Sequence, residues 1–388
     1  MLVLANQANC QQEGCTMELE WLADRFGDKG ALLIGGSIIG ALFGAFAQQS
    51  RFCLRAAAIE FSRGRVGGKM AVWLIVFSTA IAGTMILAEL GLFSATETRQ
   101  LASPQSLSGA ALGGLLFGVG MVLARGCSSR LLVLSATGNL RALLSGLVFA
   151  VVAQASLHGF LSPVRDALAA PLTTLSIGSN DLLLLSGISE RTALTLVLIG
   201  LAASLALALW RKIGIWKTIA AFAVGACIPL AWWFTKAMTA IAFEPVQLEA
   251  LSFTGPSADT LMLFLSRPGS MIDFDVGLVP GVFIGAFIAA LVTGELELQG
   301  FEGGDSMRRY LAGAAMMGFG GMLAGGCAVG AGVTGASIFA LTAWVTLFSI
   351  WIAAAATDWV VDRRLPARKP RSPLPAEPSL PAGIQTTE

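Results

Sequence analysis

Two ten-residue segments that each end in cysteine lie 200 residues apart in this sequence. Residues 118–127 read GVGMVLARGC and residues 318–327 read GFGGMLAGGC, so six of the ten positions are identical without a gap. A thiol is a weak and polarizable hydrogen-bond donor. Cys127 and Cys327 are therefore the first candidates for contact with a small ligand.

Glycines surround both of these cysteines. Gly126 precedes the first, and Gly325, Gly326 and Gly330 flank the second. Glycines at this density break a helix, and backbone N–H groups that lose their helical partners must turn onto protein or a polar cavity. The two copies thus predict sites where thiols and backbone N–H groups face a ligand together.

The composition limits the class of protein that positions these segments. Of 388 residues, 55% are hydrophobic and 13% are charged, and the mean hydropathy is +0.74, whereas a soluble domain is typically about 25% charged. The net charge of +1 excludes a nucleic-acid binder driven by charge. Because His158 is the single histidine, most zinc enzymes and Ser-His-Asp hydrolases are also excluded. We therefore expect no metal, no cofactor and no enzymatic activity. We also expect the lipid bilayer to be one partner of the protein.

Nine apolar stretches predict an all-α polytopic membrane protein whose helices cross, or partly cross, a core about 30 Å thick. They lie at residues 31–49, 70–92, 108–124, 142–157, 192–210, 218–234, 277–294, 310–324 and 338–357. The short stretches at 108–124 and 310–324 run directly into the glycine-rich cysteine segments. Discontinuous half-helices are therefore expected at both places.

Basic residues predict the orientation of these spans. An external N-terminus places 18 of the 25 Lys and Arg on the cytoplasmic side, as the positive-inside rule requires. The two cysteine segments then enter the membrane from opposite faces, which defines an inverted repeat. The predicted organisation is an external segment at 1–29, a first repeat at 30–157, an external loop and linking helix at 158–217, a second repeat at 218–360, and a disordered cytoplasmic tail at 361–388.

Two further cysteines carry weaker signals. Cys227 lies inside a predicted span and is expected to be a small buried hydrophobic residue. Cys53 follows Arg51 and Phe52 at the inner end of the first span. Alone, it would be unremarkable.

Three short strings together resemble the YeeE/YedE sulfur-transport family. They are Arg51-Phe52-Cys53 followed by Arg55-Ala56-Ala57, the string from Met121 to Arg130, and the string from Gly320 to Gly330. The resemblance implies a bacterial inner-membrane protein with an hourglass-like helical body that takes up thiosulfate. It also implies that Cys53, Cys127 and Cys327 contact the ion in succession, and that a small cytoplasmic sulfur-carrier protein is a partner.

The residue chemistry agrees with this resemblance. Half-helix N-termini supply partial positive charges of about +0.5 each, and a conducting site must bind weakly enough to release the ion. Arg51, Arg55, Arg125 and Arg130 are candidates for raising the local anion concentration at the mouths, although contact with lipid headgroups is the more common role of such residues. Two alternatives stay open: a membrane thiol oxidoreductase, although no C-x-x-C pair is present, and a membrane scaffold for a sulfur-carrier protein.

Overall fold

The computed structural model describes residues 2–265, 273–301 and 304–363, and these residues form helices joined by loops without a β-strand. The helices are α1 (Leu2–Ser50), α2 (Leu54–Ser62), α3 (Gly68–Glu89), α4 (Arg99–Ala102), α5 (Leu107–Leu123), α6 (Ser128–Ala136), α7 (Leu140–Leu157), α8 (Ser162–Ala169), α9 (Leu182–Ser186), α10 (Glu190–Trp210), α11 (Ile215–Ile241), α12 (Thr254–Leu265), α13 (Phe274–Thr293), α14 (Gly304–Leu323), α15 (Gly335–Ser337) and α16 (Leu341–Thr357). Two π-helical turns, Gly330–Thr334 and Asp358–Arg363, continue the chain after α14 and α16.

The chain is a multi-pass helical membrane protein. Within the described ranges, eight helical segments are long and apolar enough to cross a membrane, and each overlaps one of the nine predicted spans. The ninth predicted span, 310–324, overlaps α14. This helix has 20 residues but begins with charged sequence that includes Arg308 and Arg309, so it fits the expectation of a partly spanning helix.

The helices that precede the two repeated cysteines, α5 and α14, pack against each other in opposite directions. A side-chain carbon on Gly113 would lie 2.5 Å from the Gly320 carbonyl oxygen, and one on Gly313 would lie 2.7 Å from that of Gly120. The two contacts are equivalent under the repeat, because Gly313 lies 200 positions after Gly113 and Gly120 lies 200 positions before Gly320. The glycines permit this close approach because they have no side chain to fill the interface.

Equivalent contacts flank this central pair. A side-chain carbon on Gly118 would lie 2.6 Å from the Ile350 carbonyl oxygen on α16, and one on Gly318 would lie 2.7 Å from that of Phe149 on α7. Likewise, α1 packs along α13, and the corresponding helices of the other half, α11 and α3, pack along each other. The contact pattern agrees with the inverted repeat and leaves α10 without a counterpart.

The region 235–276, which lies between two of the predicted spans, contains a further helix. It holds α12, and the segment just before this helix is buried at Leu251 and Phe253. With 12 residues, α12 is too short to register as a span. Its start at Thr254, 200 residues after the start of α2 at Leu54, gives α2 its counterpart in the second half.

The structure describes the two ends of the chain to different extents. Within the region predicted as an external segment at 1–29, the residues from Leu2 onward are helical, and α1 continues through them with one non-helical residue, Gly27, at φ 74° and ψ 163°. The predicted disordered tail lies outside the described residues from position 364 onward.

Candidate functional site

Each of the three candidate cysteines lies where one helical segment ends and another begins. Cys53 is the N-cap of α2, and Cys127 is the N-cap of α6; neither thiol completes a capping hydrogen bond. Cys327 follows α14 and precedes the π-helical turn. Because a helix begins after each cysteine, unpaired N–H groups of its first turn point toward the thiol.

The three thiols share one backbone relation. Each lies near the N–H group three residues later, and of the three only Cys327 completes a hydrogen bond there, with 3.3 Å from the Gly330 nitrogen to Sγ. The corresponding groups are Ala56 for Cys53 and Arg130 for Cys127. The structure therefore joins thiols to helix N-termini, the combination that suits a small anion.

The two repeated motifs have the same backbone conformation. Arg125 and Gly325 occupy equivalent positions, with φ 58° and 76°. The next residue in each copy donates its N–H to the carbonyl five residues earlier, at 3.2 Å from Gly126 and 2.8 Å from Gly326. A positive φ suits glycine and strains arginine, so the first copy adopts this turn at a conformational cost.

Cys53 and Cys127 come together although 74 positions separate them in the sequence. Their side chains lie close enough to influence each other electrostatically. Cys127 is buried, Cys53 is half-buried, and the Cys127 sulfur lies 3.4 Å from the Ser129 hydroxyl. Two half-helix N-termini therefore present adjacent thiols at one place.

A polar network lies beside this pair of thiols. Arg130 interacts electrostatically with both cysteines, and its Nη1 lies 3.4 Å from Gln48 Oε1. Gln48 Nε2 donates to Glu295 Oε2 at 2.7 Å, and Arg51 Nη2 lies 3.1 Å from Glu295 Oε1. We call these four residues, Gln48, Arg51, Arg130 and Glu295, the inner network.

Arg125, one of the four arginines that the sequence suggests for attracting anions, has different surroundings. Its side chain is exposed, and its guanidinium lies 5.9 Å from the centre of the Tyr310 ring. No contact between Arg125 and a candidate thiol is observed in the described part of the chain. Arg130, five residues later, lies near both thiols, and Arg55 interacts electrostatically with Cys53.

The second motif opens onto a cavity of about 400 Å³. Gly325, Gly326 and Gly330 all line it. A side-chain carbon at Gly330 would overlap with the hydroxyl of Ser252, which lines the same cavity. Glycine at position 330 therefore keeps open the space next to Cys327.

Charged side chains of both signs line this cavity. Arg99 and Arg165 provide positive charge, and Glu249, Asp259 and Asp275 provide negative charge. Burial raises the pKa of Glu249 to about 7, with Arg99 opposing the shift. Burial also raises the pKa of Asp259. Near neutral pH, Glu249 is therefore only partly ionised, which reduces the negative charge that an incoming anion meets.

The two motifs lie at opposite ends of the α5–α14 contact, because these helices are antiparallel and each motif follows the C-terminal end of its helix. Cys327 thus lies at the cavity end, and Cys127 lies at the end where Cys53 and the inner network meet. Cys227 is buried in α11, as expected.

Sequence reasoning missed Gln48 and Glu295. Gln48 is one of two consecutive glutamines at the end of an apolar stretch, and Glu295 follows the glycine that ends α13. Their roles depend on contacts across 247 positions. In the described residues, no group of three or more His, Cys, Asp or Glu side chains is arranged to hold a metal ion.

Comparisons with known proteins bear on this site. The family model described as sulphur transport matches residues 49–356. The chain is 25% identical over 368 residues to a protein from Escherichia coli named thiosulfate transporter TsuA. The alignment covers 88% of this chain and 97% of that protein. A protein of the same name from Spirochaeta thermophila is 24% identical over 344 residues, covering 85% of this chain and 99% of its own length.

Proposed function

The chain belongs to the sulphur-transport family, and from this premise we propose that it carries thiosulfate across a membrane. Two relatives that cover nearly its whole length are named for this activity. The observation that carries the proposal is the meeting of Cys53 and Cys127 at two half-helix N-termini beside Arg130. These groups offer an oxyanion N–H donors and its terminal sulfur a polarizable contact.

The proposed path begins at the cavity lined by Arg99 and Arg165 and passes Cys327, where Gly325, Gly326 and Gly330 expose backbone groups. It continues to Cys127 and Cys53 and ends at the inner network. Successive weak contacts suit transport, because an ion that is held tightly at any one position leaves slowly. Gly126 supports the turn that precedes Cys127, whereas Arg125 is proposed only to attract anions at the surface.

We place the cavity end outside and the inner network in the cytoplasm of a bacterium, with the protein in its inner membrane. The support is the excess of Lys and Arg in the segments on the network side. We also keep the proposed division into an N-terminal segment, two inverted halves at 30–157 and 218–360, the linking region 158–217 and a tail. A small sulfur-carrier protein that accepts thiosulfate at the cytoplasmic face is the proposed partner.

The test is uptake of radiolabelled thiosulfate into proteoliposomes that contain this chain alone. We expect uptake that saturates with concentration and that is absent from protein-free liposomes. A membrane thiol oxidoreductase would instead interconvert the Cys53 and Cys127 thiols with a disulfide and would take up no label. A scaffold would do neither. Absence of uptake by folded, correctly inserted protein would overturn the proposal.

A further inference from the structure

Glu295 brings a negative charge to the place where the proposed path leaves the protein. Its carboxylate accepts a hydrogen bond from Gln48 at 2.7 Å and pairs with Arg51 at 3.1 Å. Arg130, which also interacts with both thiols, is within electrostatic range of this carboxylate. The protein's own carboxylate therefore shares the two guanidinium groups that a departing anion would meet.

The position of Glu295 is unfavourable without those partners. The residue follows Gly294, which ends α13 in the left-handed conformation at φ 68°, and the Glu295 N–H donates to the Ala290 carbonyl at 2.9 Å. The carboxylate thus lies at a helix C-terminus, where the helix dipole disfavours negative charge. Its side chain is 37% exposed, so it can also move into solvent.

Arg51 is held in place at a conformational cost. Its φ is 54°, a region that non-glycine residues seldom occupy, and such strain concentrates at functional positions. The residue is two positions before Cys53 and directs its guanidinium to Glu295. The strained turn therefore links the candidate thiol and the carboxylate in one short segment.

We propose that Glu295 is an internal competitor of the transported anion at the inner mouth. When the anion arrives from the thiols, it displaces the carboxylate from Arg51 and Arg130; when the carboxylate returns, the anion is released. Without this competitor, two guanidinium groups would hold a dianion tightly and slow its departure. The inference rests on the proposed function, since it assumes that the anion passes this point.

The test compares Glu295→Gln with Glu297→Gln, a matched control two residues later that loses the same charge. Glu297 is exposed and contacts Gln299 at 3.4 Å. Thiosulfate affinity of the purified protein is measured by calorimetry, and KM and kcat are measured by uptake into proteoliposomes. For Glu295→Gln we expect about tenfold tighter binding, a lower KM and a lower kcat. Glu297→Gln should match the wild type, and Glu295→Asp should restore most of the kcat.

Unchanged or weaker binding by folded Glu295→Gln overturns the inference. If this variant does not fold, Gln48→Met supplies the same test, because it removes the 2.7 Å hydrogen bond to the carboxylate and should also tighten binding. A wild-type protein that takes up no thiosulfate refutes the proposed function itself. A wild type that transports, together with a Glu295→Gln variant of normal affinity and kcat, refutes only the competitor.

Discussion

Replacing Cys127 tests whether transport depends on the thiols. Cys127 is 1% exposed, so water cannot take the place of a lost group there. Its thiol lies beside that of Cys53 and is 3.4 Å from the Ser129 hydroxyl. Removing one buried hydrogen-bonding group costs about 1–3 kcal/mol, or roughly five- to a hundredfold. We expect Cys127→Ala to reduce thiosulfate uptake within that range.

Serine separates hydrogen bonding from the chemistry of sulfur. Cys127→Ser keeps a donor, and a stronger one, but it shortens the reach and replaces a polarizable sulfur with oxygen. We expect it to impair uptake nearly as much as alanine while expression stays normal. Cys327→Ser should behave in the same way, because Gly330 donates to that sulfur.

The assay is the initial rate of labelled thiosulfate uptake into proteoliposomes, normalised to inserted protein. Cys227→Ala is the matched control, since this residue is also buried in a helix and has no place on the proposed path. It should leave uptake unchanged even if it lowers the melting temperature. Normal uptake by a Cys127→Ser, Cys327→Ser double variant would refute the reasoning and make both cysteines packing residues.

Three other perturbations have defined outcomes. Gly330→Val should abolish uptake, because the new side chain would overlap with Ser252. Gly146→Val, at a position with open space around it, should leave uptake intact, and equal effects of the two substitutions would contradict this prediction. Uptake should rise as the pH on the cavity side falls through about 7, because protonation removes the Glu249 charge. If the Glu249→Gln variant shows an equally steep pH profile, Glu249 is not the group that causes the pH dependence. A reporter that fluoresces only in the cytoplasm, fused after Glu388, should give signal, and a dark but stable fusion would reverse the proposed orientation.

Composition and periodicity were sufficient to predict the membrane class and the repeated helices. Apolar stretches long enough to cross a bilayer indicate membrane helices directly. An ungapped match of six in ten residues indicates that both copies have the same backbone conformation. The turn at Arg125 and Gly325 illustrates this, because equivalent positions have equivalent φ angles. What the repeat could not reveal was α12, whose 12 residues carry too little apolar sequence to register as a span.

The side chains around the thiols were harder to predict. Arg125 lies two positions before Cys127 and Arg130 lies three positions after it, but the left-handed turn at Arg125 leaves its side chain exposed, whereas the first turn of α6 places Arg130 within electrostatic range of both thiols. Glu295 lies 244 positions from Arg51. Such pairs depend on how α13 packs along α1, and no local pattern encodes that packing.

The inverted repeat preserves the backbone of the two halves and varies the chemistry at their ends. The position that corresponds to Arg130 is Gly330, and the one that corresponds to Cys53 is Phe253, which is fully buried against Phe43. The inner end therefore has two adjacent thiols beside Arg51 and Arg130, whereas the cavity end has one thiol beside an open space lined by charges of both signs. Such asymmetry changes the rates at which an anion arrives and leaves, but it cannot by itself favour one direction, because every step is reversible. Net uptake by these contacts alone then requires a gradient, and consumption of thiosulfate in the cytoplasm is one reaction class that would maintain it.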